Sequence, residues 1–320
     1  MAKILITGGA GFIAFHLAKK LHALGHHVAG LDNFNDYYDP RLKRRRAQIL
    51  AGMGGRDGIQ VHNADLTNEF HLSEAIGNVK YDLVMHLGAY AGVRHSLAFP
   101  QMYIDNNITG TQKLIEACAE VGIPNVVYAS TSCTMAGNPL PWKEDLPQHH
   151  HLNPYGFSKR VNESQFMMSK YDNAIGLRFF TVYGPWGRPD MALFTFTKNI
   201  LAGKPITVFN YGDMKRDFTY VDDIVNGIVL VIDRALGYTG LREIYNIGNG
   251  RQVNLMDFIH EIEKNLGVEG IYDMQPKHPA DTQETWSDTT KLQRLGYKSE
   301  TPIEQGIENF IRWYKEYYQC

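Results

Sequence analysis

The sequence predicts an α/β protein: a doubly wound parallel sheet covered by helices, followed by a smaller C-terminal α/β lobe. Three observations predict it. Short runs rich in β-branched residues alternate with longer runs whose apolar residues recur every three or four, the pattern of strands and covering helices. A glycine-rich turn, ITGGAGFIAFH, joins the first strand-like run to the first helix-like one. Beyond residue 178 the alternation gives way to short helices and isolated strands, which marks a second packing unit.

In chain order, the predicted strands are KILIT (3–7), HVAGL (27–31), IQVHN (59–63), LVMHL (83–87), NVVYA (125–129) and AIGLR (174–178). Between them lie the helical runs FIAFHLAKKLHALG, SEAIG, YIDNNITGTQKLIEACAEVG and YGFSKRVNESQFMMSKY. Gly8, Gly11 and Ala14 stand three apart where the first strand meets the first helix. Glycine permits the turn and lets the backbone approach a pyrophosphate at the helix N-terminus. Asp32 follows at the end of the second strand, where a carboxylate binds a ribose diol. These features make the sheet Rossmann-type and the cofactor a dinucleotide. Asp32 would repel a 2′-phosphate, which favours NAD over NADP. The basic run Lys43 to Arg46 falls in the helical stretch PRLKRRRAQIL and is predicted to be a solvated face. In NPYGFSK, Tyr155 and Lys159 share one face of a helix, a turn apart. Domain boundaries are predicted at 1–178 for the dinucleotide domain and 179–320 for the substrate lobe, with the chain crossing back between the two. The cleft between the lobes is the predicted ligand site.

Composition narrows the function further. The 320 residues are 44% hydrophobic and 21% charged, enough to bury a full core. A net charge of −2 offers no general field for nucleic acid or anionic membrane. No apolar run has the length of a membrane span, and the first residues lack a signal-peptide pattern. Cys118, Cys133 and Cys320 are too few and too scattered for a disulfide framework or a zinc site. A reduced, cytoplasmic protein is expected, with no metal. The run His149 to His151 does not change that, because consecutive residues of a regular element cannot all aim at one ion.

The glycine turn, Asp32, the Asp65-Leu66 pair, HLGAYAGVR (86–94) and Tyr155 with Lys159 together resemble the extended short-chain dehydrogenase/reductase family. LDNFNDYYDPRLK, RFFTVYGPWGRPDMALF, VFNYGDMKRDFTYVDDI and YNIGN are similar to the UDP-glucuronate 4-epimerases within it, over nearly the whole chain. The resemblance implies bound NAD, a UDP-uronic acid substrate and a homodimer. It implies catalytic roles for Tyr155 as base, Lys159 as its electrostatic partner, and Thr131 as a hydroxyl bonding the reacting sugar oxygen. It places NAD against Gly8, Gly11, Phe12, Ile13, Asp32, Asn33, Asp65, Leu66, Tyr155 and Lys159. Substrate contacts are implied for Arg94, Ser132, Cys133, Thr181, Arg188, Arg216, His278 and Asp281, with Arg216 on the pyrophosphate. Cys133-Thr134-Met135-Ala136 replaces the Ser-Val-Tyr-Gly of relatives, and Gly88 stands where they carry Ala. A single-methyl difference at Gly88 is expected to be tolerated.

The implied reaction is C4 epimerisation through a transient 4-keto sugar. Alternatives that begin with the same oxidation are decarboxylation of the uronic acid and epimerisation of another UDP-sugar. A 4,6-dehydratase is disfavoured because it needs an acid–base pair beside the triad threonine, and Ser132-Cys133 follow Thr131. A non-catalytic NAD-binding regulatory protein is disfavoured by the intact Thr131, Tyr155 and Lys159.

Overall fold

The structure is a computed structural model that describes residues 1–54, 58–77, 79–147 and 152–320. The His149–His151 run lies outside the described residues.

The first part of the chain runs β1 (Lys3–Thr7), α1 (Phe12–Ala23), β2 (His27–Asp32), α2 (Pro40–Ala51), β3 (Val61–Asn63), α3 (Glu69–Ile76) and β4 (Leu83–His86). Then come α4 (Val93–Ala98), α5 (Pro100–Tyr103), α6 (Gly110–Glu120), β5 (Asn125–Thr131), α7 (Pro154–Met168) and β6 (Asn173–Phe179). Ile4, Leu5 and Ile6 of β1 are at most 1% exposed, because helices cover both sheet faces and a continuous apolar run suits both. The predicted 103–122 helix is interrupted: α5 passes into a π-helical turn, Ile104–Thr109, before α6 begins. Asn107 in that turn is buried, and its side chain bonds to the backbone of Tyr90 and to Ser158 Oγ (3.0 Å). The wide turn aims this carboxamide inward.

The second part comprises β7 (Thr181–Tyr183), α8 (Ala192–Leu201), β8 (Ile206–Phe209), β9 (Lys215–Arg216), β10 (Phe218–Tyr220) and α9 (Val221–Gly237). β11 (Arg242–Ile247), β12 (Val253–Asn254), α10 (Leu255–Leu266), β13 (Tyr272–Gln275), α11 (Thr290–Gln293) and α12 (Ile303–Tyr318) complete it. The helices here are not all short, as the sequence had suggested: α9 spans 17 residues, more than any in the first part. Its buried stripe, including Ile224, Ile228 and Val231, packs against α1, β5 and β6. β11 pairs in parallel with β6 and joins the first sheet, whose order is β11-β6-β5-β4-β1-β2-β3. The direction of winding reverses between β1 and β4, the switch point where open α/β sheets bind ligands.

Arg44 and Arg45 of α2 are exposed, but Lys43 and Arg46 are buried, which corrects the expectation of a solvated face. Buried positions 42, 43, 46 and 50 form one helical stripe, so the two cations share a face with Leu42 and Leu50. The terminal nitrogens of Arg46 are held by neutral oxygens: they donate to Ala10 O (3.0 Å), to Trp186 O and to the Tyr38 hydroxyl (2.9 Å), while Nε has no hydrogen-bond partner among the described residues. Arg46 thereby ties the glycine turn to the Gly184–Gly187 turn of the second part.

Candidate active site

At the switch point the β1–α1 turn meets the end of β4. Gly8 has φ +65°, and a Cβ there would stand 2.9 Å from the backbone of Gly88. A Cβ on Gly88 would meet Thr7 Oγ1 at 3.0 Å and Leu66 Cδ1 at 3.2 Å, so the neighbours would have to give way by a few tenths of an ångström. Gly88 is therefore tighter than a tolerated single-methyl difference suggested. Below the turn, Thr7 Oγ1 bonds the buried His86 Nδ1 (2.7 Å) and accepts from Gly88 N (2.9 Å). Burial, with the Lys159 charge, holds the His86 imidazole well below its ordinary pKa, so it is neutral.

This backbone fits a dinucleotide. No side-chain hydrogen bond caps α1 at Gly11, the arrangement that leaves a helix N-terminus open to an anion, and the Gly8 and Gly88 backbones pack beside it where a Cβ would not fit. Asp32 Oδ2 accepts from Ala10 N (3.2 Å) and Oδ1 from Phe34 N (2.8 Å), which fixes the carboxylate between the turn and the 33–39 loop. Asn33 donates to Asp65 Oδ2 (2.8 Å), while Thr67 holds Asp65 Oδ1 through its N–H and hydroxyl.

The residues predicted to be catalytic sit at the end of β5 and the start of α7. Thr131 ends β5 and its hydroxyl accepts from Cys133 N (3.3 Å). Asn153 caps α7 by accepting from Gly156 N, which starts the helix so that Tyr155 and Lys159 occupy its first two turns. Burial pushes the Tyr155 phenol up to about 12, the neighbouring Cys133 adds to the rise, and a hydrogen bond with Thr131 and the Arg188 charge oppose it. Lys159 is 2% exposed, and burial lowers its ammonium to about 8 against the pull of Glu163. Glu163 is itself bound by Arg178 (2.8 and 3.1 Å), Arg160 (3.1 Å) and Ser130 Oγ (2.6 Å). Ser158 Oγ donates to Tyr155 O (2.8 Å) and accepts from Asn107, so the π-helical turn braces the first turn of α7.

Across the cleft, the Arg216 guanidinium donates to Lys215 O, Gln283 O and Thr282 O. The charges of Asp281, Cys133 and Arg94 act on it. Arg94 from α4 reaches Asp281 Oδ2 (2.6 Å) and lies 3.8 Å over the Phe209 ring, an ion pair that joins the two parts of the chain. Thr131, Ser132, Cys133, Tyr155, Arg216, Asp281 and Arg94 thus form one contiguous group. His278 borders it: its backbone O accepts from Asp281 N (3.0 Å), its Nδ1 accepts from Ala280 N (3.2 Å), and its ring packs edge-on to Phe209, the ring under Arg94. Arg188 is engaged by Asp190 (2.5 and 3.0 Å) and Ala91 O (2.8 Å), and with Phe12, Thr181 and Gly187 it lines a small cavity. Among the described residues no cluster of side chains could hold a metal ion.

The profile of the NAD dependent epimerase/dehydratase family matches residues 4–248. The chain belongs to this family. The UDP-glucuronate 4-epimerase 4 of Arabidopsis thaliana is 39% identical over 98% of this chain and 76% of its own. Protein CapI of Staphylococcus aureus is 40% identical over 99% of both chains. In three dimensions the chain superposes on the UDP-glucuronic acid 4-epimerase of Bacillus cereus, solved with UDP-glucuronic acid and NAD, with a TM-score of 0.89 and 34% identity over 99% of this chain and 100% of that one. Family membership makes this chain an NAD-dependent enzyme of the extended short-chain dehydrogenase/reductase type. No helix among the described residues is long and apolar enough to cross a membrane.

Sequence reasoning missed the supports of the site. Lys43 and Arg46 were legible from the apolar stripe they share with Leu42 and Leu50. Asn107 gave no signal, because a π-helical turn has no sequence period of its own. Asp217, fully buried beside Arg216, accepts from Asn249 N, Gly250 N and Ser287 N and so anchors the loops behind the pyrophosphate candidate.

Proposed function

We propose that this protein interconverts UDP-glucuronate and UDP-galacturonate by inverting C4 of the sugar, with NAD retained between turnovers. The observation that carries the reading is the grouping of Tyr155, Thr131, Cys133 and Arg216 at the end of β5, with Lys159 one helical turn from Tyr155 on α7. The likeness to the Bacillus cereus enzyme over the whole chain supports the choice of sugar.

Bound NAD supplies the acceptor and later the donor of the C4 hydride, and its positive ring adds to the field that favours a phenolate. Tyr155 takes the proton of the sugar 4-hydroxyl, which Thr131 holds by a hydrogen bond. The phenol near 12 is too weak an acid to supply a base at neutrality. About 5 pKa units correspond to roughly 7 kcal/mol, to be met by Lys159, the cofactor charge and the hydrogen bonds formed with the substrate. The Lys159 ammonium, near 8, is still charged at pH 7. The 4-keto sugar turns about the bonds to its diphosphate, presents its other face, and Tyr155 returns the proton. Arg216 and Arg94 hold the diphosphate while the sugar turns.

The intermediate is a β-keto acid, which loses carbon dioxide when the breaking bond stands perpendicular to the carbonyl plane. Ser132, Cys133 and Thr181, with Arg188 near them in the cleft, hold the carboxylate out of that alignment. The protein acts in the cytoplasm as a homodimer, a state supported by the exposed Met167 and Met168 of α7. A scattering mass of twice the 36.3 kDa chain tests it.

The function is tested with UDP-glucuronate, UDP-glucose and UDP-N-acetylglucosamine, separating products and measuring carbon dioxide. UDP-galacturonate from UDP-glucuronate, faster than any product from the neutral sugars, supports the reading. A pentose as main product, or turnover of a neutral sugar only, overturns it.

A further inference from the structure

The adenosine end of the cofactor site contains a buried cation that the reaction does not use. Lys43 comes up from α2 beneath the 33–39 loop with its side chain 7% exposed. Its Nζ donates to Asn35 Oδ1 (2.8 Å) and Asn35 O (3.1 Å), and lies 4.9 Å over the Tyr38 ring. Asp32 Oδ1 is 4.0 Å away. In dinucleotide folds an acid at the end of the second strand takes the ribose diol, and a cation at the same place takes a 2′-phosphate. This chain has both, side by side.

The other charges that act on Lys43 are Arg46, Arg188 and Asp36. The terminal nitrogens of Arg46 donate to Ala10 O, the Tyr38 hydroxyl and the carbonyls of Trp186 and Gly187, and Arg188 pairs with Asp190. Burial lowers the Lys43 ammonium and Asp32 is the largest influence raising it, so without the Asp32 charge an anion bound at the same point would take over the role of holding Lys43 protonated.

We propose that Lys43 and Asp32 set cofactor choice as a pair. While Asp32 is ionised, Lys43 is its counter-ion, and the carboxylate accepts a diol and repels a phosphate. With Asp32 neutralised, the ammonium becomes a 2′-phosphate anchor and the site takes NADP. The proposal rests on the NAD assignment of the β1–α1 turn, and deepens it by naming what restrains the alternative cofactor.

The test is calorimetric titration of cofactor-stripped wild type, D32N, D32N/K43M and D32N/K43R with NAD, NADP and adenosine 2′,5′-bisphosphate, using UDP binding to show that each variant is folded. D32N should gain about ten- to a hundredfold in affinity for the bisphosphate and for NADP, the size of a charge-assisted hydrogen bond. D32N/K43M should lose that gain and D32N/K43R should keep most of it. If D32N gains nothing while wild type binds NAD, or if D32N/K43M binds the bisphosphate as tightly as D32N, the proposal is overturned and the NAD assignment stands. Failure of folded wild type to bind NAD at all overturns both.

Discussion

Burial moves Tyr155 and Lys159 in directions that each need correction by a partner, since the phenol rises to about 12 and the ammonium falls to about 8. Tyr155→Phe removes the proton acceptor without adding volume, so NAD content should be unchanged and turnover should fall about 10²–10⁴-fold in a single-turnover assay. Lys159 gives a stability signature in cofactor-free protein. Its pKa is about 8 folded and 10.5 in the reference state, so between those values the unfolded chain binds the extra proton and stability rises with pH. Below pH 8 the charged ammonium costs about 3 kcal/mol. Lys159→Met should therefore be more stable than wild type by about 3 kcal/mol at pH 7 and by about 1 kcal/mol at pH 9.5 in urea unfolding. An equal gap at both pH values would contradict the burial argument. Cys133 is a weaker hydrogen-bond donor than a hydroxyl. Cys133→Ser should lower the fraction of UDP-glucuronate converted to UDP-pentose and Thr181→Ala should raise it, as read by product separation; unchanged ratios would remove both residues from the carboxylate's grip. At this scale the sequence pointed to Tyr155, Lys159 and Thr131 through local spacing and resemblance. It did not disclose that Arg188 reaches Ala91 O or that Arg216 faces the carbonyls of Thr282 and Gln283, because those partners are set by tertiary packing.

The strands of the sheet were legible where both faces are buried, because a continuous apolar run has no competing solution. KILIT coincides with β1, and NVVYA and AIGLR fall inside β5 and β6. Helices were legible by period, and FIAFHLAKKLHALG begins with α1 at Phe12 and runs two residues past its end. The interrupted 103–122 segment was not, since Asn107 takes its place from contacts with Tyr90 and Ser158 that lie far along the chain. The joint between α7, β5 and β6 is of the same kind: Glu163, fully buried, meets Arg178 from β6 and Ser130 from β5. Glu163→Ala leaves a buried guanidinium without its carboxylate and should cost about 3–5 kcal/mol in urea unfolding. It also removes the charge that raises the Lys159 pKa, so the fall of activity with rising pH should begin at lower pH than in wild type. A loss under 1 kcal/mol would mean that water replaces the carboxylate.

For the molecule as a whole, a chain that leaves the first sheet after β6 returns to it as β11, with α9 packed against that sheet between them. A run such as EIYNIG does not reveal which sheet it joins, because pairing partners are non-local and periodicity is local. The return brings the loop after β11 beside Asp217, and so ties Arg216 to the same body that carries Tyr155. Arg94 and Asp281 close the remaining side of the cleft. In the proposed mechanism one body holds the cofactor turn, Tyr155 and Arg216 while the sugar turns among them. The central claim is that hydrogen leaves C4 to a bound carrier and returns to the opposite face of the same carbon. UDP-glucuronate deuterated at C4, incubated with purified protein and no added nucleotide, tests it by mass and proton spectra of the products. The account predicts UDP-galacturonate that keeps its deuterium at C4, with none released to water. Loss of the label to solvent during epimerisation, or dependence of the product on added NADH, would contradict it.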